Sequence, residues 1–202
     1  MIKMIREKEG IKSSMGIIKN SLIQSHNIIE NLLQKGDVVI DATCGNGNDT
    51  CILAEIVGEE GKVYSFDIQE IAIKIAQKRI KEKGFDDRVV FILDGHENMN
   101  CYINCGVKAV MFNLGYLPKG DHNIATKGET TIKALEKAMR ILQINGIITV
   151  VVYYGGDSGF DEKIEVLEFI STIDPKKFNV MVTQFPNQIN CPPILICIEN
   201  LS

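Results

Sequence analysis

The chain has 202 residues and a formal net charge of −4, and its composition is 45% hydrophobic and 24% charged. These proportions are typical of a soluble globular protein and exclude a disordered or fibrous chain. The acidic balance argues against a broadly cationic surface that binds duplex nucleic acid through many phosphates. The length favours a single domain, which we expect to span residues 1–202.

The sequence carries no apolar run that approaches the ~20 residues needed to cross a bilayer, so we expect no membrane span. The amino terminus mixes both charge signs and lacks the pattern of a signal peptide, which predicts a cytoplasmic protein. The six cysteines form no C-x-x-C pair, so we expect reduced thiols and no metal site. The oligomeric state is not fixed by the sequence, and a homodimer stays open.

Segments rich in Val and Ile alternate with segments of helical period. This alternation predicts βαβ units, and hence an α/β fold with a mostly parallel sheet and helices on both faces. Seven strands are expected, at 37–42, 62–67, 88–93, 107–113, 146–153, 178–185 and 193–199. Helices are expected at 13–33, 49–57, 69–83, 130–142 and 161–172.

Two local patterns add detail to these elements. Gly146 is expected to end the fourth helix, and Ile71, Ile75 and Ile80 are expected to form the buried stripe of helix 69–83. The last two strands are separated only by residues 186–192, too few for a crossover helix. We therefore expect these strands to pair as an antiparallel hairpin.

A glycine turn follows the first strand, within the segment Asp41-Ala-Thr-Cys-Gly-Asn-Gly-Asn-Asp-Thr50. A turn of this kind before a helix points backbone N–H groups and a positive dipole end at a ligand. The residues expected to contact that ligand are Cys44, Gly45, Asn46, Gly47, Asn48 and Thr50. A dinucleotide fingerprint needs a third glycine where this chain has Thr50. Asp41 is expected to hold the glycine loop and to face a cationic amino-acid moiety, which favours S-adenosylmethionine over a pyrophosphate.

The next two strands are also followed by acidic segments, Asp67-Ile68-Gln69 and Asp94-Gly95-His96. Asp67 lies 22 residues beyond Gly45, a spacing at which a carboxylate accepts hydrogen bonds from ribose hydroxyls. Asp94 can accept a hydrogen bond from the adenine amino group, and His96 is expected to flank that ring. The alternative role for Asp67 is a helix N-cap. Three acidic strand ends in succession favour the adenosyl cofactor.

The fourth strand ends at Asn113, beside the point where the strand order is expected to reverse and where ligands bind in such folds. The Asn113 amide oxygen can accept a hydrogen bond from an amine and aim its lone pair at a methyl group; the alternative is a turn-stabilising role. Asp121 is a candidate for proton removal. The residues expected to contact the substrate are Leu114, Gly115, Tyr116 and His122.

Together these segments resemble a group of small bacterial methyltransferases described as rRNA methylases, and they are similar to the MnmM-type enzymes. Those enzymes methylate 5-aminomethyl-2-thiouridine at the tRNA wobble position. Further segments that carry the resemblance are 112–121, 126–127, 130–131 and 187–190. The resemblance implies a Rossmann-like class I methyltransferase fold, S-adenosylmethionine as cofactor, and the anticodon loop of a tRNA as partner.

The chain also departs from this family. Tyr154 and Gly156 stand where we expect histidines, and His122 stands where relatives often carry lysine. Methylation of ribosomal RNA or of a small-molecule amine is an alternative activity, and a non-catalytic nucleotide-binding protein is an alternative outside enzymes. Candidate RNA contacts are Lys19, Lys119, Lys127 and Lys133.

Overall fold

The computed structural model describes residues 17–115, 126–155 and 159–202. The helices in these ranges are α1 (Ser21–Leu32), α2 (Asn48–Val57), α3 (Glu70–Lys83), α4 (Gly128–Ile141) and α5 (Gly159–Ser171). The strands are β1 (Val38–Asp41), β2 (Lys62–Asp67), β3 (Val89–Leu93), β4 (Val107–Leu114), β5 (Leu142–Val152), β6 (Phe178–Thr183) and β7 (Ile194–Asn200). A 3-10 helix (His96–Cys101) follows β3. Within the described ranges, no helix has both the length and the apolar character that a membrane crossing requires.

The seven strands form one sheet in the order β3-β2-β1-β4-β5-β7-β6. Strands β1 to β5 are parallel, whereas β7 pairs antiparallel with both β5 and β6. The strand order reverses between β1 and β4, which opens a crevice at the carboxyl edge of the sheet. The predicted mostly parallel sheet and its carboxyl-terminal antiparallel hairpin are confirmed.

Helices cover both faces of the sheet, as predicted. Phe112 of β4 packs into a cluster with side chains of α4 and α5. Its neighbour Met111 packs on the opposite face, against side chains of α1 and α2. Because side chains alternate between the faces of a strand, Asn113 shares the face of Met111 and points towards α1 and α2.

The boundary between α4 and β5 differs from the prediction, because β5 begins at Leu142 instead of residue 146. The register of β4 against β5 shifts between Val107 and Ala109, which accommodates the extra residues of β5. Gly146 does not end the helix, because the helix stops at Ile141. The residue with a left-handed backbone in this segment is Asn145, with φ 57°. A Cβ on Gly146 would instead meet the Lys108 carbonyl oxygen at 2.9 Å, so a glycine is needed there for close backbone approach.

Helix α1 begins at Ser21, whereas a start at residue 13 was predicted. The Asn20 side chain accepts a hydrogen bond from the Ile23 N–H (2.9 Å) and so caps the helix. Ser25 Oγ donates to Thr149 Oγ1 (2.9 Å), which fixes α1 against β5. The remaining element boundaries agree with the prediction to within two residues.

The buried face of α3 agrees with the prediction only at Ile80, which is fully buried, whereas Ile71 and Ile75 are 57% and 40% exposed. The side chains that α3 buries are Ala72, Ile73, Ala76 and Ile80. Small side chains lie there because the glycine turn after β1 runs directly against this helix. A Cβ on Gly47 would lie 2.8 Å from the Cβ of Ala76.

This close approach predicts different outcomes for two glycine substitutions. Gly47 and Gly84 have nearly the same backbone angle (φ 75° and 72°), but nothing lies within 4 Å of a Cβ on Gly84. Gly47→Ala should therefore lower the free energy of unfolding by about 1–3 kcal/mol more than the matched control Gly84→Ala, because only Gly47→Ala overpacks a contact. Equilibrium urea unfolding measures both variants, and equal losses would contradict the contact.

Candidate functional site

The carboxyl edge of the sheet gathers the polar residues that the sequence singled out. Asp41 ends β1, Asp67 ends β2, Asp94 follows β3, and Asn113 is the penultimate residue of β4. Parallel strands place these ends at one edge, beside the crevice between β1 and β4. The hydrogen bonds of each side chain show which of these residues can meet a ligand.

Asp67 holds the glycine turn, a role that we had predicted for Asp41. Its Oδ2 accepts a hydrogen bond from the Gly45 N–H (2.8 Å), and its Oδ1 accepts one from the Gln69 N–H (2.9 Å). The Cys44 N–H donates to the Phe66 carbonyl (2.7 Å), which ties the same turn to β2. Burial raises the pKa of Asp67 above its ordinary value. These bonds fix the turn between β1 and α2.

Asp41 is 0% exposed, so the prediction that it faces a ligand directly is wrong. Its two carboxylate oxygens accept hydrogen bonds from the Thr43 N–H (3.1 Å) and from Thr50 Oγ1 (2.5 Å). Thr50 Oγ1 also lies 2.8 Å from Ser65 Oγ. Thr50, which stands where a dinucleotide-binding motif has its third glycine, therefore links α2 to both β1 and β2. Burial raises the pKa of Asp41 to about 7.

The Cys44 side chain is buried, and burial raises the pKa of its thiol, so it remains protonated. A buried thiol of this kind is unreactive. Of the other predicted turn residues, Gly47 packs against α3, Asn46 is partly accessible, and the exposed Asn48 begins α2.

Asp94 lies at the surface and is held in place by three donors. Its Oδ1 accepts from the Gly95 N–H (2.7 Å) and Asn98 Nδ2 (2.9 Å), and its Oδ2 accepts from the Tyr102 hydroxyl (2.8 Å). The bond from Asn98, followed by that from Tyr102, lowers the pKa of Asp94, which keeps it ionised. Ile68 is 59% exposed after β2 and offers an apolar surface at the same edge of the sheet.

His96 was predicted to flank the adenine ring, but its side chain lies almost entirely inside the protein. It is buried, and its ring packs edge-on against Phe112, with the ring centroids 5.5 Å apart. Burial lowers the pKa of His96, so the ring is neutral, and its Nδ1–H donates to the Ala42 carbonyl (3.1 Å). His96 therefore supports the ends of β1 and β4 from within the core.

Asp49, in the first turn of α2, links two residues that are distant in sequence. Its Oδ1 lies 2.8 Å from His26 Nε2 of α1, and its Oδ2 accepts a hydrogen bond from Asn113 Nδ2. The Asn113 backbone N–H donates to Thr43 Oγ1 (2.7 Å), which anchors the end of β4 beside β1. Neither Asp49 nor His26 was predicted as a site residue from the sequence.

The amide oxygen of Asn113 is buried and has no hydrogen-bond partner among the residues that the structure describes. An ionised carboxylate can only accept hydrogen bonds, so Asp49 requires the NH₂ group of Asn113 to face it. The amide oxygen must then point away from Asp49. A buried acceptor without a donor is costly unless a ligand supplies one. Asn113 Oδ1 is therefore a buried acceptor to which no described residue of the chain donates a hydrogen bond.

A buried carboxylate also holds the residues that flank segment 116–125. The Gly115 N–H donates to Thr126 Oγ1 (3.0 Å), which in turn donates to Glu162 Oε2 (2.7 Å). Thr131 Oγ1 donates to the other oxygen of Glu162 (2.7 Å), and burial raises the pKa of this carboxyl. This arrangement explains Thr126 and Thr131 in segments 126–127 and 130–131, whereas Glu162 itself was not predicted as a site residue.

Several predicted site residues lie elsewhere. Leu114 is fully buried in the core on the α4 and α5 side. The prediction that its side chain contacts the substrate is therefore wrong. Gly115 is partly accessible, with φ 149°. Tyr116, Lys119, Asp121, His122 and Gly156 lie outside the described residues.

Comparison with protein-family models gives a match to the family described as "Putative rRNA methylase" over residues 63–199. A second model, for protein-L-isoaspartate(D-aspartate) O-methyltransferase, matches residues 14–102. The first match covers most of the chain, and the second covers the segments around the glycine turn.

Individual relatives agree with these matches. The chain is 42% identical over 155 residues to the chloroplastic tRNA (mnm⁵s²U34)-methyltransferase of Arabidopsis thaliana, with 71% of this chain and 56% of the plant protein covered. The chain thus spans little more than half the length of that relative. A crystal structure of a "putative rRNA-methylase" from Clostridium thermocellum has a TM-score of 0.90 and 61% identity, covering 91% of this chain and 99% of that one.

A second solved structure carries a ligand. A "putative methyltransferase" from Streptococcus mutans, solved in complex with SAH, has a TM-score of 0.84 and 40% identity. The match covers 92% of this chain and 100% of that chain.

The burial of Asp41 predicts a pH-dependent contribution to stability. Its pKa is about 7 in the folded protein and 3.8 ordinarily, so between these values the folded state binds a proton that the unfolded chain has released. The resulting stabilisation is fully present below about pH 4 and is lost as the pH rises through about 7. The unfolding free energy of the wild type minus that of Asp41→Asn should fall between about pH 4 and pH 7. Urea unfolding measures this difference, and a constant value would contradict the expectation.

Proposed function

The chain belongs to the rRNA methylase family, as its motifs predicted, and on this premise we propose that it is an S-adenosylmethionine-dependent tRNA methyltransferase. Its substrate would be the aminomethyl group of 5-aminomethyl-2-thiouridine at the wobble position. The observation that carries the proposal is the buried, unpartnered amide oxygen of Asn113 at the ligand-binding edge of the sheet. The plant relative, whose name states a methyltransferase acting on a tRNA wobble uridine, supports this substrate class.

The residues around the glycine turn fit S-adenosylmethionine. The charges of Asp49 and Asp67 both contribute to the raised pKa of Asp41, so the three carboxyl groups lie close enough to act on one another. A site with this negative charge disfavours a pyrophosphate and favours a cationic ligand. The partly exposed Asp94 carboxylate and the apolar surface of Ile68 suit an adenosine group. When bound, the cofactor supplies a methyl group activated by its positive sulfonium.

Asn113 is the proposed catalytic residue. Its amide oxygen would accept one N–H of the substrate amine and so orient the nitrogen lone pair for an in-line attack on a methyl carbon. A new N–C bond would form as the bond between the methyl carbon and the sulfonium sulfur breaks, the sulfur would keep that electron pair as a neutral thioether, and the amine would release one proton overall. The neutral amine must attack, although an alkylammonium of pKa ~10 is mostly charged near neutral pH, so desolvation of the amine in the site helps by favouring its uncharged form. Alignment of the reactants is expected to supply much of the remaining rate.

The net charge of the chain is compatible with an RNA substrate of this kind. A wobble nucleotide lies in a loop, where the protein can read an unstacked base and needs few phosphate contacts. Lys127 is the residue at the N-cap position of α4, next to Thr126, at the carboxyl edge of the sheet. Lys133 pairs with Glu129 (2.6 Å) on the surface of α4 and is the weaker candidate for a phosphate contact.

The proposal is tested by methyl transfer from labelled S-adenosylmethionine to separated RNA fractions from cells that lack the gene. We expect label in tRNA, with mass spectrometry of nucleosides showing the methylaminomethyl product. Asn113→Ala should lower the transfer rate by about 10²-fold or more, the loss typical of a preorganised transition-state contact, while SAH binding persists.

Asn179→Ala is the matched control, because the Asn179 amide also donates to a carboxylate, Glu199 (3.1 Å), but on the exposed surface of β6. This variant should methylate tRNA at the wild-type rate. Label in ribosomal RNA but not in tRNA would overturn the wobble substrate and favour the activity named by the family. An unchanged rate for Asn113→Ala would overturn the assignment of the catalytic residue.

A further inference from the structure

The connection between β6 and β7 crosses the same edge of the sheet as Asn113. Strand β7 runs antiparallel to β5, with Ile194 opposite Val152, so it begins where β5 ends. Val152 in turn lies opposite Leu114 of β4, the residue after Asn113. Residues 184–193 therefore lie on the side of the molecule that carries the proposed catalytic residue.

A cleft of about 350 Å³ opens in this connection. Its wall includes two aromatic side chains, Tyr154 and Phe185, and three side-chain amides, Gln184, Gln188 and Asn190. The remaining lining residues are Pro186, Cys191 and Pro192, so none of the residues that line the cleft is an aspartate, glutamate, lysine or arginine. The volume is at the small end of the range for ligand pockets, which suits one base or nucleoside.

The chemistry of this lining selects among ligand classes. Among the described residues that line the cleft no side chain is cationic, and the nearby Lys163 is held over the Tyr154 ring, whereas a purely apolar ligand would leave the amides without partners. Aromatic rings stack on the face of a nucleobase, and amides both donate to and accept from its edges. A flat heterocycle with donors and acceptors on its rim matches both sets of side chains.

The side of the cleft formed by Tyr154 is held by contacts that involve no ligand. Lys163 Nζ lies 3.6 Å from the centroid of the Tyr154 ring, and the Phe160 ring packs edge-on against Tyr154 at 5.6 Å. The Pro193 carbonyl accepts a hydrogen bond from Ser21 Oγ (2.5 Å), which ties the connection to α1. A preorganised site loses less entropy on binding, and Lys163 adds a positive charge next to Tyr154.

We propose that this cleft binds a nucleobase of the RNA substrate adjacent to the methylated nucleotide. The base stacks on Tyr154 and Phe185, and the amides of Gln184, Gln188 and Asn190 contact its edges. This inference rests on the proposed function, because it requires a single-stranded segment of RNA at the site.

The chain contains no tryptophan, so Phe185→Trp introduces a single fluorescent reporter into the cleft. Titration with a single-stranded oligouridylate of about eight nucleotides should quench this tryptophan to saturation. Adding Tyr154→Ala should raise the Kd by about 5- to 100-fold, the range expected for loss of one base stack. Phe85→Trp is the control reporter, since Phe85 packs against Arg88 beyond the end of α3, and it should not respond.

A second measurement does not depend on the tryptophan. Gln188→Ala should raise the KM for tRNA by about 2- to 12-fold with kcat retained, because it removes a base contact and not the reacting group. The matched control Gln143→Ala, at the start of β5, should leave the KM unchanged.

If a folded Phe185→Trp protein shows no quenching, or if Tyr154→Ala leaves the Kd unchanged, the proposal that the cleft binds a nucleobase is wrong, whether or not the protein methylates RNA. An unchanged KM for Gln188→Ala overturns it even where Phe185→Trp fails to fold. By contrast, the absence of label from every RNA fraction with the wild-type protein overturns the proposed function alone.

Discussion

The hydrogen bond between Asp49 and Asn113 is the interaction on which the proposed site depends. An ionised carboxylate cannot donate, so it accepts the NH₂ group of Asn113 and leaves the amide oxygen turned away and unpartnered. His26 Nε2, 2.8 Å from the other carboxylate oxygen, holds Asp49 from α1. Three elements, α1, α2 and β4, thus fix the direction of one acceptor, and that direction is what the proposed reaction requires.

The other buried carboxyl groups fix backbone around this acceptor. Asp41 joins β1 to α2 through Thr50, Asp67 holds the glycine turn at Gly45, and Glu162 holds Thr126. Burial raises the pKa of each of these three groups. The hydrogen bonds that a buried carboxyl accepts stabilise its ionised form. The residues that donate these bonds are therefore as necessary to the site as the carboxyl itself. The result is an edge whose polar groups are positioned before a ligand arrives.

The sequence predicted what depends on local pattern. Strand positions, the glycine turn, the polar strand ends and the terminal hairpin follow from periodicity and spacing, and the structure contains all of them. The sequence pattern could not predict contacts between residues that are far apart in the chain. Asp49 and Asn113 are separated by 64 positions, and Thr126 and Glu162 by 36. For the same reason the hydrogen bonds that hold the glycine turn were assigned to Asp41 from the sequence, whereas Asp67 accepts the bond from the Gly45 N–H. In α3 the pattern of isoleucines was misleading, because Ala76 had to be small where the turn at Gly47 approaches it.

The most direct test of this account is the single-turnover rate of methyl transfer by Asp49→Asn. An asparagine at this position can donate as well as accept, so the Asn113 amide is no longer forced to direct its oxygen outward. We expect the rate at saturating cofactor and RNA to fall by at least about 10-fold, since small misalignments of reacting groups are costly. The Kd for SAH should change by less than about 2-fold. An unchanged single-turnover rate in a folded Asp49→Asn protein would contradict the account.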